Sequence, residues 1–323
     1  MADILSTGIS GLRAFQRALD VTSHNIANVS TPGYSRQRVE LQTREAERYG
    51  SGFLGTGVDV STITRSYDEL LATQMRGATS SSSRLDVYAS KAQVLNDLFS
   101  DSSTGLTVSL QRFTNAVQGV SNEPTATAAR QVMLSEAQGL TQRLKTYDSR
   151  LDDISAEINS RLTNEAATIS TIADSIARLN GQIVSGQSAG QAPNDLLDAR
   201  DQQLALLSEH LNVQVVKQDD GAWNVFVGNG QSLVLGNQPA KLVTSRDALD
   251  PTRLTIAYQA GSTTSDLSAT ISGGALGGLL DFRRELLDPV RNQLGQIAIA
   301  VATAVNSQDR KSTRLNSSHS LPS

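Results

Sequence analysis

The chain has 323 residues, with 28 Lys plus Arg against 32 Asp plus Glu, for a net charge of −4. That length suits about two domains, and the mild acidity argues against a nucleic-acid wrapper, which needs clustered positive charge. Cysteine is absent, which removes disulfides, thiolate nucleophiles and Cys-ligated metal sites, and aromatics make up only 4% of residues. The core must therefore rest on Leu, Ile, Val and Ala.

The N-terminus lacks a basic n-region, and Arg13 and Arg17 interrupt any apolar run, so it does not read as a cleaved secretory signal. No stretch reaches the roughly 18 apolar residues of a membrane span.

Residues 3–27 are predicted as an amphipathic helix. Leu5, Leu12, Leu19 and Ile26 recur every seven residues, and Ile4, Ile9 and Phe15 widen the stripe. Such a heptad seam faces another helix, on the same chain or on a different subunit; the pattern leaves both settings open. Asn28 to Tyr34 then break the helix, with Pro32 removing a donor and Gly33 permitting a turn. Residues 33–63 alternate irregularly and read as extended segments with short hairpins.

Helices resume over 65–119, weakened but not ended at Ser80–Ser83 and broken at Asp101–Gly105. From about 125 to 185 apolar residues run from Leu140 to Ile183 in steps of 3 and 4. Paired fours at Ile154, Ile158 and Leu162 form a stutter, and a step of seven skips Glu165, the one polar residue in the seam. About 60 residues of helix would be roughly 90 Å long. A compact globule of this chain length has a radius of gyration near about 20 Å, so an elongated body is expected.

Ser185–Pro193 reads as a linker, and Asn194–Leu211 as a further helix with Asn194 as N-cap and Asp195 in the first turn. The period then changes to two. Five short strands are expected over about 212–272, at Val213, Trp223–Val227, Leu233, the region of Leu242, and Leu254–Tyr258. Asp219-Asp220-Gly221 and Gly228-Asn229-Gly230 supply the hairpin turns. Gly273 to Gly278 lead back into helix, with Pro289 as a kink or boundary.

The pattern assigns mainly α structure with a small β insert: an elongated long-helix coiled-coil or bundle body behind an N-terminal amphipathic helix. The expected division is 1–63 as an N-terminal segment of heptad helix, turn and extended chain, 64–211 as a long-helix bundle, 212–272 as a small β-rich domain, and 273–308 as a return helix. Residues 309–323, polar and Ser-rich, read as a disordered, non-native tail.

There is no phosphate loop followed by Lys-Ser/Thr, no His-Glu-x-x-His and no nucleophile elbow. Asp152 and Asp153 are adjacent on a helix and so do not face each other; a solvated face is the better reading. His24 beside the seam reads as structural, Gly273–Gly278 as a close-packed helix start, and Trp223 as the cap of a small core. No catalytic, cofactor or metal residue is assigned.

The run Asn25-Ile26-Ala27-Asn28-Val29-Ser30-Thr31-Pro32-Gly33-Tyr34 resembles the shared motif of bacterial flagellar axial proteins, the rod, hook and hook-associated family. Tyr34–Gln37, Gln191–Asp201 and Val216–Gly221 with Asn224–Gln231 are similar to its hook-associated members, and the resemblance spans about 2–308. It implies a non-catalytic structural subunit, without cofactor, in a ring of identical subunits at the hook–filament junction. The implied partners are the hook protein, a second hook-associated junction protein and an export chaperone. Export runs through the flagellar type III route, to an extracellular location. It also implies that Leu5, Ile9, Leu12, Phe15, Leu19 and Ile26 form the subunit interface, pairing with a C-terminal helix. Asn25, Asn28, Thr31, Pro32, Gly33 and Tyr34 would form the turn that fixes how the N-terminal polymerisation helix leaves the inner coiled-coil tube which the resemblance implies. Family members continue into a further heptad helix, so a truncated chain is expected, with a mobile 1–30 segment and no chaperone site. Another axial protein (hook or distal rod), or an axial segment fused to a peptidoglycan hydrolase, are the alternatives; the long helix and the small β insert argue against them.

Overall fold

The computed structural model describes residues 4–100, 105–188, 193–261 and 263–318. The expected break at Asp101–Thr104, much of the 185–193 linker and the last five residues lie outside these. Helix α1 spans Ile4–Ala27. The strands β1 (Gln37–Thr43) and β4 (Val58–Arg65) pair antiparallel, with a register shift between Glu40 and Leu41, and β2 (Glu47–Tyr49) pairs with β3 (Gly52–Leu54) as a hairpin between them. Four helices follow: α2 (Glu69–Phe99), α3 (Leu106–Asn122), α4 (Thr127–Ser188) and α5 (Asn194–His210). The serine run at 80–83 does not interrupt α2.

Seven strands occupy the β-rich region where five were expected. They are β5 (Val213–Lys217), β6 (Trp223–Val227), β7 (Gln231–Leu235), β8 (Gln238–Pro239), β9 (Lys241–Arg246), β10 (Leu254–Ala260) and β11 (Thr263–Asp266). They form an antiparallel sheet in the order β5-β6-β7-β8 and another in the order β11-β10-β9. The additions, β8 and β11, are short edge strands built from Gln, Pro, Thr, Ser and Asp, which carry little hydrophobic alternation to read.

Helix α6 (Gly274–Phe282) and helix α7 (Asp288–Ser318) are joined by a π-helical turn at Arg283–Leu287. The helix is continuous from α6 through this π turn into α7, and Pro289, which has no N–H to donate to the preceding turn, lies just after the π turn, so it marks a local irregularity and not a helix end. Helix α7 runs through Ser318 rather than breaking at 308. Residues 309–318 contain no Pro or Gly, so losing apolar periodicity does not stop the backbone from staying helical.

Two compact units result. One comprises Met1–Ser83, Thr163–Ser245 and Thr255–Gly277; the other comprises Arg84–Leu162, Arg246–Leu254 and Gly278–Ser323. The divisions fall inside α2 and α4 rather than at 63/64 and 211/212. The α4 seam supplies core to both: Leu140, Tyr147, Leu151, Ile158 and Leu162 are buried in the second unit, and Ile169, Ile172, Ile176 and Ile183 in the first. In the second unit Phe99 stacks on Tyr147 at 4.9 Å, and Lys91 reaches Glu157 at 2.5 Å. Asp152 and Asp153 are exposed, and Asp152 accepts from Arg291 at 2.5 Å, as a solvated face would.

Two polar residues of α4, Glu165 in the seam and Asn180 beside it, have partners in the first unit. Glu165 Oε2 lies 2.6 Å from His210 Nδ1, and this hydrogen bond raises the His210 pKa against the opposing effect of burial. Asn180 is fully buried. It donates to the carbonyls of Trp223 and Gly236 at 2.8 and 2.7 Å and accepts from Trp223 N–H at 3.1 Å and Arg200 Nη1 at 3.0 Å. It thus satisfies backbone groups of the β6 and β7 region that would otherwise be left unpaired. The Gly273–Gly278 run is close-packed: a Cβ on Gly274 would sit 2.1 Å from the His210 carbonyl carbon.

Candidate assembly surface

Helix α1 has two faces of opposite character. Ser10, Ala14 and Val21 are buried, and with the half-buried Thr7, Ala18 and Asn25 they form a stripe of mostly small side chains toward β1 and β4. Small residues let helix and sheet backbones approach closely. The contact is tightest at Gly57, whose φ is +113° and where a Cβ would sit 2.2 Å from Ser10 Oγ. Ser10 Oγ in turn donates to the Thr7 carbonyl at 2.8 Å and accepts from Val58 N–H at 3.2 Å. The helix is therefore anchored on its own strands, which differs from the mobile segment expected for residues 1–30.

The opposite face carries the heptad seam. Leu5, Ile9, Leu12, Phe15, Leu19 and Ile26 are all exposed, Leu12 at 60% and Phe15 at 69%. Ile4 and Val29 extend the stripe at its two ends. The structure thus takes up the helix's small-residue face within the chain and leaves the large-residue seam uncovered. Contiguous exposed apolar surface of this kind makes the seam a candidate interaction surface.

The turn that follows α1 is organised by Asn25. Its Oδ1 accepts from Tyr34 Oη at 2.7 Å and from Gln37 N–H at 2.8 Å, and its Nδ2 donates to the Gln37 carbonyl at 2.9 Å. Asn28 donates to the His24 carbonyl at 3.1 Å and accepts from Thr31 Oγ1 at 3.2 Å. Gly33 has φ +80° and closes against Gln202, while Pro32 is exposed at the turn. His24 meets Tyr34 edge-on at 5.5 Å, so it belongs to this structural cluster. Burial, then the charges of Asp195 and Asp198, raise the Tyr34 pKa and keep its hydroxyl a donor. The motif residues named from the sequence therefore meet in one place.

Sequence reasoning missed what the turn rests on. Helix α5 presents Asn194, Asp195, Asp198 and Asp201 to it. Ser35 N–H donates to Asp198 Oδ2 at 2.8 Å, and Arg65 Nη1 reaches Asp198 Oδ1 at 2.8 Å and Asp201 Oδ2 at 2.5 Å. Gln37 Nε2 donates to Asp195 Oδ1 at 2.9 Å. Burial raises the Asp201 pKa against the lowering effect of Arg65. Asn194 is not the N-cap; Pro193 holds that position, and the buried Asn194 side chain donates to the Ile63 carbonyl at 2.8 Å. The next turn of α5 adds Arg200, 1% exposed, which donates to the Gly221 carbonyl at 2.8 Å and lies over the Trp223 ring at 4.0 Å. Burial lowers its pKa to about 10, so it remains cationic at neutral pH. The carboxylates repeating on one helix were the available signal; their target was a tertiary contact.

Among the described residues no group of three or more His, Cys, Asp or Glu is placed to hold a metal ion, and no helix is long and apolar enough to cross a membrane.

The family model described as the flagellar hook-associated protein FlgK helical domain matches residues 92–320. The chain belongs to the flagellar hook-associated protein 1 family. A flagella basal body rod protein model matches residues 5–34, the α1 helix and its turn. The match over 92–320 runs past Gln308, where the resemblance was expected to end. Flagellar hook-associated protein 1 of Salmonella typhimurium is 38% identical over 315 residues, covering 96% of this chain and 57% of its own length. The Escherichia coli K12 protein of the same name is 35% identical over 315 residues, with the same coverage. The chain thus spans a little over half the length of these curated relatives. A solved structure of the flagellar hook junction protein FlgK from Burkholderia pseudomallei is similar with a TM-score of 0.68 at 35% identity, covering 73% of this chain and 43% of that one. It shares the mainly α architecture with small antiparallel sheets.

Proposed function

We propose that the chain is a non-catalytic structural subunit of the bacterial flagellum, forming part of the junction between hook and filament by self-assembly through α1. The observation that carries this reading is the two-faced helix: its small face is occupied by β1 and β4, and its heptad seam is exposed. A seam of Leu, Ile and Phe at seven-residue spacing suits packing against another helix. Burying a Leu or Phe side chain contributes about 1.5–3 kcal/mol, so roughly half that remains available at each half-exposed seam position. Six such positions outweigh much of the entropy lost on association.

In this reading the subunits form a ring of identical copies, with the hook protein and a second hook-associated protein as axial neighbours. The protein leaves the cell by flagellar type III export and resides outside it. Membership of the hook-associated family supports the placement at the hook junction. Residues 1–63 act as the axial segment, and the turn from Asn25 to Tyr34 sets the direction in which the chain leaves α1.

Complementation tests the reading. A strain lacking the junction protein is supplied with the full-length protein bearing either the parent seam or Leu12→Asn with Leu19→Asn. Filaments are expected on hooks with the parent seam and lost with the double variant, while export into the medium continues. Filaments at parental frequency with both Asn substitutions would sink it.

A further inference from the structure

Helix α5 carries two sets of polar contacts, one toward the turn after α1 and the end of β4, the other toward α4. At one end Asp198 Oδ2 takes the Ser35 N–H, the first backbone donor after the turn motif. The other oxygen of the same carboxylate takes Arg65 at the end of β4. Arg65 also holds Asp201. Arg200, between these two aspartates in sequence, points the other way, to Asn180 on α4 and the Gly221 carbonyl. The Asp198 and Arg65 side chains are 7% and 9% exposed, and all of these residues lie in the first compact unit.

We infer that Asp198 is a positioning residue for assembly: it clamps the turn after α1 to α5 and so fixes the direction in which the exposed seam is presented. The inference rests on the reading of α1 as the assembly helix. Three features of the geometry argue for it over a merely stabilising ion pair. First, one Asp198 oxygen is spent on a backbone N–H immediately beyond the turn, so it acts on chain direction and not only on charge. Second, its neighbours on α5 act on the same segment: Asp195 takes Gln37 and Gln202 abuts Gly33. Third, the turn's own bonds, centred on Asn25, link α1 to Gln37 but not to α5. They set the local bend, and α1 packs on β1 and β4; α5 touches α1 itself at His24, 3.6 Å from Asp195 Oδ1, and holds the strands' end and Ser35 through Asp198, so the helix and its strands are tied to α5 at this point. A buried carboxylate bonded to a backbone donor holds geometry more tightly than exposed pairs, because both partners are costly to leave unmade.

The absence of cysteine makes the test direct. Spin labels at Gln16→Cys on the exposed side of α1 and Ala205→Cys on the exposed side of α5 report the α1–α5 distance in the full chain. The parent is expected to give one narrow distribution. Asp198→Ala should broaden and shift it while far-UV circular dichroism is retained. The isosteric Asp198→Asn keeps an acceptor for Ser35 but loses the Arg65 charge pair, and should fall between the two. Leu204→Ala removes core volume from α5 without touching the turn; it should lower the urea midpoint and leave the distance unchanged. A folded Asp198→Ala chain with the parental distribution overturns the clamp, as does a Leu204→Ala chain that shifts the distance equally. If Asp198→Ala fails to fold, Asp198→Asn decides by the same criterion. Because the distance is read without assembly, a shifted distribution with unimpaired filament growth would support the clamp and count instead against assembly through α1.

Discussion

Replacing Gly57 by alanine should loosen α1 from its strands while leaving the rest of the first unit folded. A Cβ at this position lies 2.2 Å from Ser10 Oγ and 3.4 Å from the Thr7 Cα, and the backbone sits at φ +113°. Holding an L-residue at such a φ costs about 1–3 kcal/mol. Crowding a close-packed contact costs about 1–3 kcal/mol more, since Ser10 must rotate away. That rotation breaks its bond to Val58 N–H, about 1 kcal/mol. The sum, roughly 3–7 kcal/mol, is comparable with the grip of three buried residues, of which Ser10 and Ala14 are small. Local opening of α1 should therefore become at least about a hundredfold more frequent, at roughly 1.4 kcal/mol per tenfold. Amide hydrogen exchange across residues 7–25 is the assay, with α4 residues 169–183 as the internal reference. Unchanged protection of α1 relative to α4 would refute the close-contact reasoning.

Other outcomes follow from the core. Asn180→Ala strips partners from the Trp223 N–H, two carbonyls and Arg200, and should cost about 3–5 kcal/mol, read as a fall in the urea midpoint. The raised His210 pKa means that the Glu165 contact stabilises fully below the unfolded value of about 6.5 and is lost as pH rises through the folded value. The parental urea midpoint should therefore fall between mildly acidic and mildly alkaline pH, and Glu165→Gln should flatten that dependence. An equal slope in both proteins would remove His210 as the cause.

The helices were legible because their signals are periodic and local. The seam of α1 reads off Leu5, Leu12, Leu19 and Ile26, and Glu165 stood out as the one polar residue in the long repeat. The opposite face of α1 was not legible. Ser10, Ala14 and Ala18 carry little hydrophobic contrast, and the sheet they touch is built from β1 and β4, the latter at Val58–Arg65, far along the chain. The same holds for α5: Asp195, Asp198 and Asp201 resemble any solvated acidic helix face until Ser35, Gln37 and Arg65 are brought beside them. Asn180 lies within the apolar run and gave no sign that it would anchor β6 backbone. The motif turn was recognised by resemblance, while its mechanics, with Asn25 holding both Tyr34 and Gln37, needed coordinates.

The most direct test of assembly through α1 is site-specific photo-crosslinking in isolated hook–filament structures. A genetically encoded benzoylphenylalanine can replace Leu12 on the seam or the half-buried Ala18 on the docked face, so that the probe is in place before assembly. Crosslinks from position 12 to another axial subunit, with position 18 giving only intramolecular products, are the expected result. Intermolecular crosslinks from position 18, with none from position 12, would contradict the claim that the exposed heptad seam makes the junction.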